Sequence, residues 1–276
     1  MVDCETKISP IAIVQRPSDD AISWPQPPND WADRLDTPPR DQIPPVPCVH
    51  VWAASLQVSA QTLSKFAASL AAFERDRAAR FHFPIHRDRF VAGRGLLREV
   101  LATYLGAEPE SLEFTYGLHG KPALAGSAAA PLQFNVAHSE DLLLIVATRG
   151  PIVGVDVERV RHLPEFEELV ARFFSSNECI QFRNLLAEQK PAAFFNLWTR
   201  KEAWLKATGE GTTHLLNQVE VSFLPKEPAR LVRLPQSYLN TTSWSLYELA
   251  PKPGFAGALA TAGGAAAMHC WRYQPQ

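Results

Sequence analysis

Gly154-Val155-Asp156-Val157-Glu158 and Trp198-Thr199-Arg200-Lys201-Glu202-Ala203-Trp204-Leu205-Lys206 are the two stretches on which the reading of this chain turns. The first alternates apolar and acidic residues. Successive side chains of a strand point to opposite faces, so Asp156 and Glu158 project the same way. The second has helical spacing, and Glu202 and Lys206, four apart, share one helix face. Brought together, the two stretches converge three carboxylates and one ammonium. That set suits a hard divalent cation gripping phosphate oxygens, with a lysine beside the charge that develops. Taken alone, each stretch also reads as a solvated edge strand or an ordinary surface Glu–Lys pair.

Outward from these stretches the chain alternates short strands and helices. A strand is expected at His50–Ala53 and a helix over 60–80, with Leu63, Phe66, Leu70 and Phe73 as its apolar face. A second helix is expected from Asp88 to Leu105, closed by Gly106. Gly93 and Gly95 inside it cost about 1 kcal/mol each and imply close packing against backbone or ligand. Strands follow at Leu112–Tyr116, Leu132–Val136, Leu142–Ala147 and Ile152–Glu158. Helices are expected near Pro164–Phe173, Ser176–Leu186 and Pro191–Ala207, and strands at Val219–Phe223, Ser243–Leu249 and Gly257–Thr261. Ten of the 23 prolines fall in residues 1–48, so that stretch reads as a partly extended arm, with Trp24 and Trp31 available to pin it or with disorder as the alternative.

With 276 residues the chain can bury a large core. Its 27 basic and 29 acidic residues leave a net charge of −2, which argues against bulk nucleic-acid affinity. Cys4, Cys48, Cys179 and Cys270 are scattered without a Cys-x-x-Cys spacing, as expected of free thiols in a reducing cytoplasm. Met1-Val2-Asp3-Cys4-Glu5 lacks the basic and apolar regions of a signal peptide, and no apolar run approaches the ~18–20 residues that span a bilayer.

Two further motifs precede the acidic strand: Gly120-Lys121-Pro122, then Phe134-Asn135-Val136-Ala137-His138-Ser139. In this order, from about Val51 to about Ala262, the succession resembles the 4′-phosphopantetheinyl transferases of the long, monomeric kind. The resemblance implies an α+β fold of two similar halves related by a pseudo-twofold, with the active site in the cleft between them. The expected division is an arm over 1–48 and halves over 49–155 and 156–276. It implies transfer of 4′-phosphopantetheine from coenzyme A to a serine of an apo acyl or peptidyl carrier protein, with Mg²⁺ as cofactor and 3′,5′-ADP as leaving group, by a cytoplasmic monomer acting on neither nucleic acid nor membrane.

Asp156, Glu158 and Glu202 are the metal ligands that the resemblance assigns. Glu202 doubles as general base toward the serine, directly or through a water. Lys206 neutralises the α-phosphate and protonates the departing oxygen. His138 contacts the ribose 3′-phosphate of coenzyme A, Asn135 in the same loop also contacts coenzyme A, and Arg77 likewise holds the 3′-phosphate. Lys121 is the phosphate-binding lysine of a turn in which Gly120 lets backbone approach the nucleotide. For His138 and Arg77, a surface histidine and a solvated helix arginine remain the other readings. Trp198 and Trp204 flank the motif and read first as core aromatics.

The chain also departs from the pattern. Glu74 stands where the family often has a second base, so that a phosphate contact is either missing or supplied by Arg80, Arg87 or Arg89. Ala137 stands where some members have serine. Two rivals follow from the same residues: a coenzyme A- or carrier-binding scaffold without catalysis, and a metal-dependent nuclease. The nuclease is disfavoured by the spacing of acid and lysine on a helix and by the net charge.

Overall fold

The computed structural model of the chain describes residues 48–126, 132–211, 215–225, 227–238, 243–263 and 267–275. The expected arm, with Trp24 and Trp31, lies outside the described residues. In chain order the elements are β1 (Cys48–Ser55), α1 (Ala60–Ser69), α2 (Ala72–Ala79), α3 (Pro84–Leu105), β2 (Phe114–Tyr116), β3 (Pro122–Leu124), β4 (Gln133–Ser139), β5 (Leu142–Thr148), β6 (Val153–Arg159), α4 (Phe166–Phe173), α5 (Ser176–Arg183), α6 (Lys190–Thr208), β7 (Glu220–Val221), β8 (Leu231–Arg233), β9 (Trp244–Leu249), β10 (Phe255–Ala262) and β11 (Ala267–Tyr273). The fold is α+β, as expected.

The described chain forms two compact units that are not successive segments. The first holds residues 48–115, 122–150 and 267–275, the second 116–121 and 151–263. A single cut at residue 155 does not describe this arrangement. The turn before Pro122 packs with the second unit, and the last strand returns to the first.

In the first unit a sheet runs in the order β11-β1-β5-β4, with β1 parallel to β11 and the other pairs antiparallel. β5, Leu-Leu-Leu-Ile-Val-Ala-Thr, is buried along its whole length, as a central strand covered on both faces must be. α3 packs on the sheet through Leu96, Leu97, Val100 and Leu101. Gly95 lets the ring of Phe66 on α1 reach the α3 backbone, since a Cβ there would overlap the ring. α3 starts at Pro84, four residues before the expected Asp88, because proline suits the first helical turn. It ends at Gly106 in the left-handed conformation (φ 62°).

The single helix expected over 60–80 is two. Leu70 and Ala71 are extended (ψ 143° and 159°). Leu70 is buried in the core, and the Ala71 amide donates to Glu74 Oε2 at 2.9 Å, which starts α2 afresh. The restart turns Phe73 outward, 48% exposed, so it is not part of the apolar face.

In the second unit the sheet order is β6-β10-β9, all antiparallel. α6 lies across β6 and β10. Its approach is closest at Gly154, where a Cβ would overlap the Ala203 carbonyl and the Ala207 amide. Phe166, Phe182, Phe194, Phe195 and Trp204 fill the core beneath, each large side chain contributing about 1.5–3 kcal/mol of burial. Among the described residues no helix is long and apolar enough to cross a membrane.

Candidate active site

The close approach at Gly154 places the acidic strand. Gly154, Asp156 and Glu158 alternate onto one face of β6, and Gly154 shows that this face meets α6. Asp156 sits opposite Ala258 and Glu158 opposite Ala256 on β10, small residues that leave room beside the carboxylates. Lys206 reaches over from α6, and its Nζ donates to Asp156 Oδ1 at 2.6 Å. The Asp156 side chain is 7% exposed and that of Lys206 30%. Among the described residues Asp156 Oδ2 is buried with no hydrogen-bond partner.

Burial by itself would lower the Lys206 pKa. The charges of Asp156, Glu202 and Glu158, with the hydrogen bond from Asp156, outweigh it, and the ammonium is held above its usual range. All three carboxylates therefore act on one cation. They do not, as they stand, form a tight ligand cluster: among the described residues no three His, Cys, Asp or Glu side chains are grouped closely enough to hold a metal. The ammonium does the gathering.

Lys121 belongs to the same unit. Gly117 N donates to Lys121 O and Gly120 N to Gly117 O, both at 2.9 Å, closing a tight turn in which Gly120 takes φ 77°. The Lys121 Nζ donates to Ala207 O at 3.1 Å and Val153 O at 3.4 Å. Ala207 is the neighbour of Lys206, so a second cation stands at the end of α6. Burial pushes the Lys121 pKa down to about 8.

The remaining candidates lie in the first unit. Asn135 lies in β4, within the strand expected over Leu132–Val136, and β4 runs on through His138 where a loop was expected, at the edge of its sheet. Three residues apart in a strand, they project to opposite faces. Asn135 is buried and His138 exposed. Arg77 is exposed on α2, its guanidinium 5.5 Å above the Phe90 ring.

The motif on α6 divides between two tasks. Glu202 and Lys206 belong to the acidic group. Lys201 is fully buried and donates to Glu178 Oε2 at 2.5 Å and Leu216 O at 2.7 Å. Arg200 donates to Ser222 O at 2.5 Å and Glu248 Oε2 at 2.6 Å. Trp204 is core, as read first, against Tyr238 and Trp244. Trp198 is partly buried against Phe173 and Phe194.

Residues 152–260 match the model of the 4′-phosphopantetheinyl transferase superfamily, and residues 54–150 match that of the 4′-phosphopantetheinyl transferase N-terminal region. The 4′-phosphopantetheinyl transferase HetI of a Nostoc species is 41% identical over 226 residues, 82% of this chain and 92% of that protein. The chain belongs to the 4′-phosphopantetheinyl transferase superfamily. A relative from a Synechocystis species is 40% identical over 183 residues, 66% of this chain and 72% of its own. Among solved structures, the holo-(acyl-carrier-protein) synthase of Bacillus anthracis in complex with CoA (3′,5′-ADP) is 17% identical. It covers 42% of this chain and 98% of that one, with a TM-score of 0.34.

For a transferase of this family the sequence overlooked Glu178 and Glu74. Glu178 accepts from Lys201, Ser175 N and Val221 N, and holds the motif helix in place. Glu74 is no vacancy in a row of bases but is almost fully buried, 1% exposed. Glu178 alone had a signal, standing three residues after Ser175 at the spacing of a capping box, whereas Ala71, three before Glu74, has no side-chain acceptor to mark a helix start.

Proposed function

We propose that this transferase moves 4′-phosphopantetheine from coenzyme A to a serine hydroxyl of an apo acyl or peptidyl carrier protein, at the group formed by Asp156, Glu158, Glu202 and Lys206. The observation that carries the site is a buried carboxylate oxygen, Asp156 Oδ2, with no donor of its own, beside a lysine on which three carboxylates act. An all-oxygen set with a surplus of negative charge fits Mg²⁺, and Asp156, Glu158 and Glu202 are the residues that would hold it. Bound there, Mg²⁺ supplies positive charge to the pyrophosphate oxygens.

The rest is the work of the chain's own residues. The serine oxygen bonds to phosphorus, and the bond from phosphorus to the 3′,5′-ADP oxygen breaks. Glu202 accepts the serine proton, directly or through a water. Lys206 neutralises the α-phosphate and gives a proton to the departing oxygen. Lys121 offers a point charge to phosphate from its turn. The resemblance gives the 3′-phosphate of coenzyme A to Arg77 and His138, with Asn135 as a further coenzyme A contact. Cytoplasmic location and a monomeric state go with this reading; the free thiols of Cys48, Cys179 and Cys270 are in keeping with the first of these.

The test is incubation with coenzyme A, Mg²⁺ and a panel of apo carrier proteins, followed by intact mass. The expected outcome is a gain of one phosphopantetheine on at least one carrier, with release of 3′,5′-ADP. The gain is lost with a chelator and restored by Mg²⁺. No mass gain on any carrier would leave a binding scaffold.

A further inference from the structure

From the packing of α2 on α3 we infer that Glu74 is a positioning residue for coenzyme A: it fixes α2 and so sets the Arg77 guanidinium at the 3′-phosphate. This rests on the transfer reading above, and on Arg77 in particular. α2 has eight residues, fewer than the ~12–15 below which an isolated helix is marginal. Its buried residues are Glu74 and Ala78 alone, and Phe73 faces outward. Apolar packing therefore does little to hold it.

What holds α2 is a carboxylate. Glu74 Oε1 accepts from Arg94 Nε at 2.5 Å and from Arg94 Nη2. Glu74 Oε2 accepts from Arg98 Nε at 2.9 Å, Arg98 Nη2 at 2.7 Å and Ala71 N at 2.9 Å. Arg98 is fully buried and is fixed independently, since its Nη1 donates to Pro109 O and Leu112 O, both at 2.9 Å. The Phe114 ring lies under both guanidiniums, at 4.7 and 5.1 Å. Arg98 is thus a fixed post, and Glu74 ties α2 to it.

Phe90, Arg94 and Arg98 recur every four residues, one stripe along α3. Glu74 meets the arginines of this stripe, and Arg77, one turn further along α2, meets Phe90. Without the Glu74 charge two guanidiniums would face a neutral group, and the short helix carrying Arg77 would lose its register. Glu74 thus supplies support to α2 in place of a phosphate contact.

The test uses the full chain with Glu74→Gln, which keeps the shape and removes the charge. KM and kcat are measured with coenzyme A and with 3′-dephospho-coenzyme A, alongside thermal melting. The expected result is a KM for coenzyme A raised about tenfold, kcat within about twofold, and a KM for the dephospho form unmoved. Combined with Arg77→Ala, Glu74→Gln should raise the KM for coenzyme A no further, because it acts through the side chain already removed. Equal rises for both substrates, additive effects, or no change in a folded variant would each overturn the inference. Should Glu74→Gln not fold, Arg94→Gln spares the buried Arg98–Glu74 pair and should show the same split, smaller in size; no split there overturns it too. A wild-type chain inactive on every carrier would overturn the transfer reading itself, whereas an active wild type without the split overturns only the role of Glu74.

Discussion

Helix α6 carries two lysine–carboxylate pairs, and they are built to opposite ends. Lys201 and Glu178 are sealed, 0% and 2% exposed, and the pair is saturated. The lysine has a second acceptor in Leu216 O, and the glutamate takes the amides of Ser175 and Val221 as well. Lys206 and Asp156 are left open. The ammonium is partly exposed, one Asp156 oxygen lacks a donor, and two further carboxylates add negative charge. The pKa directions follow: burial lowers that of Lys201 despite Glu178, whereas three carboxylates raise that of Lys206 despite burial. A buried pair with all its hydrogen bonds made is structural. A pair with charge and an oxygen to spare can take a ligand.

The comparison is tested most severely by Lys201→Met. It strands a buried Glu178, so urea unfolding should show a loss of about 3–5 kcal/mol. The kcat of the folded fraction should be unchanged, and a stable but slow variant would erase the distinction between the pairs. Next in size is Glu202→Gln, expected to lower kcat on the order of 10²-fold at saturating coenzyme A. Its melting temperature should hold or rise, because the change relieves repulsion among carboxylates. Transfer at the wild-type rate would make Glu202 a bystander.

A smaller effect, and a sharper one, concerns pH. Lys121, with its pKa lowered to about 8, loses its charge as pH rises through that value, so the KM for coenzyme A should climb above it. Stability should move the other way. A folded pKa below the unfolded value of about 10.4 means that the unfolded chain binds more protons between about 8 and 10.4, so stability rises with pH across that window. In Lys121→Met both trends should vanish. Lys206 is the contrast: with a raised pKa, its contribution is complete below about 10.4 and is lost only as pH rises through the higher folded value. The smallest effect expected is none at all: the protein shortened to begin near Val49 should keep kcat and KM, since the partners of both lysine pairs among the described residues all lie later in the chain. A lower kcat in a stable shortened chain would give those residues a part in the site.

The elements around the acidic group were legible because their signals are local. Period two put Asp156 and Glu158 on one face, and spacing of four did the same for Glu202 and Lys206. What escaped depends on distant partners. Nothing near Lys201 announces Glu178, and an unbroken helical pattern over 60–80 hides the restart that Glu74 imposes at Ala71. The role of Glu74 is hidden in the same way, since its arginines, Arg94 and Arg98, lie on another helix. β11 escaped for the same reason: its partner β1 lies at the far end of the chain, and a short strand after Gly263-Gly264 has no periodicity to mark it. The strand expected over Leu132–Val136 already holds Asn135, but its run on to Ser139 depends on pairing with β5 that local sequence does not show.

The pairing of β1 with β11 bears on how the protein is made. Residues Cys48 to Ala54 lie beside Ala267 to Tyr273, so the sheet of the first unit closes only after more than 200 further residues, the whole second unit among them, have been made. Until then β1 has, among the described strands, no partner on that side, and an unpaired strand edge is the kind of surface on which chains aggregate. The second unit, lying almost wholly between β5 and β11, can fold during that wait. Synthesis that stalls before Ala267 would therefore release a chain with a finished acidic group and an unfinished neighbour.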